Sequence, residues 1–210
     1  MIVRFKNLKA MQVKENKITK REDFEDFFEY VEDLKRATQH ELAIKELESF
    51  VCDNLNNSYA YEELGDNFLS MRKLDAAEKS LKRAIMLDPI SANAHYLLGF
   101  VYSCKQKWAL SVAELELANN LHPNHPEILR CLGWSLFHYG ENSQGLTVLM
   151  RSITIAPNDV LALTDYGVCL LNLKSYEKAY EIFDKILKLE PEHDHARECM
   201  KLCSFYLKSS

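Results

Sequence analysis

Long apolar runs are missing from this sequence, and none approaches the roughly twenty residues of a membrane-spanning helix. Residues 1–23 lack the apolar core and small-residue cleavage site of a secretory signal, so a cytoplasmic location is expected. Closely paired cysteines are absent too. Cys52, Cys104, Cys131, Cys169, Cys199 and Cys203 are spread without the spacing of a disulfide scaffold, which suits a reducing compartment. No Gly-x4-Gly-Lys phosphate loop, His-Glu-x2-His zinc helix or Gly-x-Ser-x-Gly elbow occurs. What is abundant is apolar residue content, 47%, which excludes wholesale disorder.

Glycine and proline are scarce, six and five in 210 residues, so their placement carries information. Four glycines (Gly65, Gly99, Gly133, Gly167) and four prolines (Pro89, Pro123, Pro157, Pro191) recur every 34 residues in one phase. Around each glycine stands a large-x2-large-Gly-x2-large pattern, as in Tyr61, Leu64, Gly65 and Phe68, or His95, Leu98, Gly99 and Tyr102. A small-x3-large step follows: Ala77 to Leu81, Ser111 to Leu115, Gly145 to Leu149, Ala179 to Phe183. Glycine within a helix costs about 1 kcal/mol relative to alanine. Four in phase therefore imply close helix packing that offsets the cost, while each proline stops the second helix of a pair.

The period and these residues resemble the tetratricopeptide repeat in all but the first large position, over residues 58–193. The resemblance implies an all-α, right-handed superhelical solenoid of helix–turn–helix repeats, over 58–91, 92–125, 126–159 and 160–193. Run backwards, the register places Phe27, Tyr30, Val31, Leu34, Ala43, Leu47 and Phe50 at apolar positions. Residues 24–57 are then a fifth, degenerate repeat, with Val31 for glycine and Leu55 for proline. Run forwards, residues 194–208 form a capping helix with Ala196, Cys199, Met200, Cys203 and Leu207 on one face.

Charge is uneven. Residues 1–21 carry seven basic side chains and one acid, net +6, against −5 for the whole chain. Ile2, Val3, Phe5, Leu8 and Met11 lie among those bases. The segment 1–23 is open to several readings: a flexible solvated terminus, a dock for an acidic partner or for the chain's own acidic surface, self-association, or contact with anionic lipid or nucleic acid. Membrane and nucleic acid are not the partners expected.

Two constellations could carry chemistry. Cys131 and His138 lie seven residues apart on one helix face, as a thiol and base might. His193, His195, Cys199 and Cys203 have a spacing that could hold zinc, although the cysteines also occupy the face that must bury. Packing is the commoner explanation of both, and no catalytic residue, metal or cofactor is assigned.

What remains is surface. The resemblance implies that the first helices line a concave groove, whose residues are the second, fifth, sixth, ninth, twelfth and thirteenth of each block. Those singled out are Tyr59, Glu62, Glu63 and Asp66; Asn93, Tyr96 and Phe100; Glu127, Arg130, Trp134, Phe137 and His138; and Asp165 and Asn172. The groove is expected to be acidic at its N-terminal end, helped by Glu25, Glu29 and Glu32, and aromatic in its middle. The carboxylate clamp of chaperone-binding relatives would fall on Glu62, Asp66, Leu97, Glu127 and Cys131, which would repel an anionic chain end. The expectation is a non-enzymatic adaptor that binds a protein segment with an apolar anchor and basic residues. Two alternatives are a secretion-type chaperone for an apolar client and a structural subunit that assembles through its convex face.

Overall fold

The structure, a computed structural model, describes residues 21–209, with side chains from 24 to 208. Nearly all of the basic segment 1–23 lies outside them. The described residues form eleven α-helices and no strand. They are α1 (Arg21–Arg36), α2 (His40–Asp53), α3 (Ser58–Ser70), α4 (Leu74–Leu87), α5 (Ala92–Cys104), α6 (Trp108–Leu121), α7 (Pro126–Tyr139), α8 (Asn142–Ile155), α9 (Val160–Asn172), α10 (Tyr176–Leu189) and α11 (Asp194–Ser209). Each helix packs on the next in sequence, which makes an all-α solenoid closed at its C-terminal end by α11.

Glycines set the spacing within four of the five pairs, from α3–α4 to α9–α10. A Cβ placed on Gly65 would lie 2.5 Å from Leu81 Cγ, and one on Gly99 would lie 2.6 Å from Leu115 Cγ. Gly167 faces the Phe183 ring in the same way, at 2.9 Å. The large residue of each second helix therefore sits directly on the backbone of the first. Leu81, Leu115, Leu149 and Phe183 are accordingly fully buried. In the α5–α6 pair the small position is Ser111, whose hydroxyl donates to the Gly99 carbonyl at 2.7 Å and lies 2.8 Å from Ser135 Oγ.

The helix ends obey the same period. Asn57, Ser91 and Asp159 accept backbone N–H groups at the starts of α3, α5 and α9, and His193 Nδ1 does so for α11. His125 with Pro126 opens α7. Inside each pair the turn passes through one left-handed residue: Thr38, Arg72, Gln106, Gly140 and Lys174, again 34 apart. Only one of the five is glycine. Pro89, Pro123, Pro157 and Pro191 each stand two residues beyond the end of a second helix.

Helix α11 buries Ala196, Cys199 and Cys203 against α9 and α10. His195 Nε2 lies 3.7 Å from Cys199 Sγ, while His193 is taken up as a cap and Cys203 is sealed in the core. No group of three potential metal ligands forms among the described residues.

Candidate functional site: the inner groove

Helix α3 touches α5, α5 touches α7, and α7 touches α9, so the first helices approach one another along one side of the stack. Elements that crowd together on one side of a curved array mark its concave side. Each step along this rim is stitched by a polar contact between first helices. Lys35 Nζ on α1 reaches Glu63 Oε2 at 2.8 Å and Asp66 Oδ2 at 2.9 Å on α3, as well as Glu32 on its own helix. On α3, Glu62 accepts from Asn93 Nδ2 of α5 and from the capping Ser91 Oγ, each at 2.6 Å. The Tyr96 hydroxyl on α5 donates to Glu127 Oε1 of α7 at 2.8 Å. Arg130 Nη1 on α7 donates to Asp165 Oδ2 of α9 at 3.0 Å.

These contacts decide what the groove can offer. Glu62 and Glu63, expected to face a partner, are buried at 8% and 6% exposed and are taken up by these contacts; burial pushes the Glu63 carboxyl up while Lys35 pulls it down. Asp66 stays partly exposed beside them. The six carboxylates Glu32, Glu62, Glu63, Asp66, Glu127 and Asp165 face only the two cations Lys35 and Arg130 in these stitches. The rim is left negative. Tyr59, Asn93, Glu127, His138 and Asn172 are exposed.

The middle is aromatic, with one correction. Phe100, Trp134 and Tyr96 are half-buried, but Phe137 is only 8% exposed. It belongs to the core, packed with Leu149 and Cys169 between α7, α8 and α9, where it is closed to a partner. Phe100, Ser103, Cys104, Arg130, Cys131, Trp134 and Asp165 line a pocket of about 210 Å³ that spans α5, α7 and α9. Beside it, His138 stacks on Trp108 (4.7 Å between ring centres) and tilts against Trp134 (4.3 Å). Trp108 was not among the groove residues expected, because it opens a second helix.

The thiol–base pair takes a different form from the one its spacing suggests. Burial pushes the Cys131 thiol up to about 12, whereas an activated nucleophile needs its thiolate favoured. His138 is occupied by ring contacts.

Known proteins share this architecture. The tetratricopeptide-repeat family model matches residues 58–91 and 161–193. Anaphase-promoting complex subunit 3 of Schizosaccharomyces pombe is 28% identical over 144 residues, 67% of this chain and 22% of that protein. The peroxisomal targeting signal receptor of Saccharomyces cerevisiae is 31% identical over 83 residues, 40% of this chain and 14% of that protein. This chain thus spans less than a quarter of the length of either relative. The crystal structure of YrrB, described as a TPR protein with an unusual peptide-binding site, superposes with a TM-score of 0.70 at 20% identity, over 92% of this chain and 98% of that one. With a 34-residue period, glycine-spaced helix pairs and a family model that matches two of its repeats, the chain carries tetratricopeptide repeats at residues 58–91 and 161–193.

Proposed function

We propose that this chain is a non-catalytic adaptor that holds a protein segment in its inner groove, and that the segment combines a large apolar anchor with one or two basic residues. The observation that carries this reading is the pocket between Phe100 and Trp134 on a rim where carboxylates outnumber cations. Half-buried rings around a recess are the kind of surface that forms binding hot spots. Net negative charge beside them draws basic side chains by long-range attraction. YrrB, of similar fold, is itself described as having a peptide-binding site.

A suitable probe is contained in the chain. Residues 2–9, Ile-Val-Arg-Phe-Lys-Asn-Leu-Lys, interleave bases with apolar side chains. Tethering would raise their effective concentration to about the millimolar range, which makes self-association or occupancy in cis part of the proposal. The test is titration of a synthetic, end-blocked 2–9 peptide into protein lacking residues 1–20, followed by fluorescence anisotropy. Replacing both Trp134 and Phe100 by alanine should weaken binding by about 2 kcal/mol or more while helicity is retained. Charge reversal at Asp66 and Glu127 should slow association and flatten its salt dependence. Equal affinity for all these proteins would refute the groove.

A further inference from the structure

The Arg130–Asp165 pair does more than join two repeats. A guanidinium carries five N–H donors in a rigid fork, and the stitch uses one of them. On the other side, Asp165 accepts through Oδ2 and keeps Oδ1 free for another donor. Both side chains are largely covered, 14% and 21% exposed, and both line the pocket. None of their polar atoms is among the described buried atoms left without a partner, so the spare donors and the spare acceptor still meet solvent. Both residues line the recess between Phe100 and Trp134.

Donor and acceptor side by side in a half-buried site select by chemistry. A carboxylate entering the recess could accept from Arg130 but would meet Asp165 and, one turn back on α7, Glu127. A cation would meet the Arg130 guanidinium. A neutral group that both donates and accepts suits both partners, because each polar atom it displaces from water is repaired by a hydrogen bond. In an extended chain the N–H and C=O of one residue project to the same side, whereas those of one trans peptide unit point in opposite directions.

We infer that the Arg130–Asp165 pair reads the main chain of a bound segment, donating to the C=O and accepting from the N–H of one extended residue whose side chain enters the Phe100–Trp134 recess. This rests on the groove reading above and adds a register to it. The anchor residue is fixed by its backbone, and basic side chains fall to either side, toward the remaining carboxylates.

The test varies the ligand and leaves the protein intact, so folding is not at issue. The probe is N-acetyl-phenylalanine N-methylamide, a single anchor residue with both main-chain groups. Binding to the full chain is followed by NMR through the Trp134 indole N–H and the Arg130 Nε–H. Three analogues accompany it: the depsipeptide in which an ester oxygen replaces the acetamide N–H, N-acetyl-phenylalanine as the free acid, and 3-phenylpropanamide. The diamide should move both signals. The ester should bind at least fivefold more weakly and the acid at least tenfold more weakly, with the primary amide also weaker than the diamide. Equal binding of all four at Trp134 would overturn the main-chain reading and leave the groove standing. A primary amide that matches the diamide would overturn it in favour of a side-chain carboxamide. If no probe, nor the 2–9 peptide, moved either signal, the groove and this inference would fall together.

Discussion

Adding one methyl group at Gly133 should destabilise the protein, although the helix itself would gain from it. Alanine in place of a helical glycine is worth about 1 kcal/mol in propensity. Against that gain stands the space available. A Cβ at Gly133 would lie 2.7 Å from Leu149 Cγ, 2.8 Å from the Leu149 backbone nitrogen and 2.9 Å from the Gly145 carbonyl oxygen. Two of these three obstacles are main chain of α8 and cannot rotate away. Gly145 reciprocates, since its own Cβ would lie 2.7 Å from both the Gly133 oxygen and the Phe137 nitrogen. Overpacking a buried contact costs about 1–3 kcal/mol, and here α7 and α8 must separate along their whole contact. Because two of the obstacles are main chain, the cost falls at the upper end of that range, about 2–3 kcal/mol, and the net loss for Gly133→Ala after subtracting the propensity gain should be about 1–2 kcal/mol. For a chain of this size that lowers the melting temperature by several degrees, at about 2–4 °C per kcal/mol. Gly65→Ala is the control, because the three nearest atoms that its Cβ would meet all belong to the Leu81 side chain, and it should lose less. Thermal unfolding by circular dichroism measures both. A Gly133→Ala protein as stable as wild type, or one less affected than Gly65→Ala, would refute the argument that backbone contact fixes this spacing.

Other outcomes follow from particular contacts. Glu78 accepts from Lys105 and Lys82, which hold its carboxyl down from the ordinary 4.5 to about 2. A depressed acid stabilises the fold above its unfolded value and loses that contribution as pH falls from about 4.5 toward 2, so Glu78→Gln should flatten the acid limb of the stability profile measured by urea titration. Asn67 is fully buried, with Oδ1 3.0 Å from His40 Nδ1 and Nδ2 donating to the Glu63 carbonyl. His40→Ala should strand that oxygen at a cost of about 1–3 kcal/mol, read from the urea midpoint. Removing residues 194–210 should bare Leu163, Leu170 and Phe183, giving aggregation or a lower melting point by light scattering and circular dichroism. Unchanged solubility and melting would contradict the capping role of α11.

The helices and their pairing were legible because four of the five pairs repeat the same residue types in phase: glycine against leucine or phenylalanine, and proline after the second helix. The turns were not. Thr38, Arg72, Gln106 and Lys174 adopt the left-handed conformation that glycine would advertise, and only Gly140 betrays it. The candidate groove was readable as a face but not as a set of partners. Period alone says that Lys35, Glu62, Tyr96 and Arg130 point inward. It does not say that they reach across to Glu63, Asn93, Glu127 and Asp165, since sequence offsets of 28, 31, 31 and 35 depend on side-chain length and rotamer. Phe137 shows the opposite failure. Its position counts as inward, yet the ring turns into the space beside Leu149 and Cys169, which no periodicity records.

The four stitches along the inner rim also give the solenoid a mechanical character. Helices held by apolar contact at their backs and by charge or hydrogen bond at their inner edge behave as a spring whose inner coils are fastened by clasps. Of those clasps, Lys35 with Glu63 and Asp66, and Arg130 with Asp165, are ionic, while Glu62 with Asn93 and Tyr96 with Glu127 join a carboxylate to a neutral donor. The side chains of Lys35, Glu63, Arg130 and Asp165 are only 19%, 7%, 14% and 21% exposed, and dissolved salt screens covered pairs far less than exposed ones, so these clasps stay fastened as ionic strength changes. The spacing between the acidic end and the aromatic recess is thereby held by the fold itself and not by the ionic composition around it.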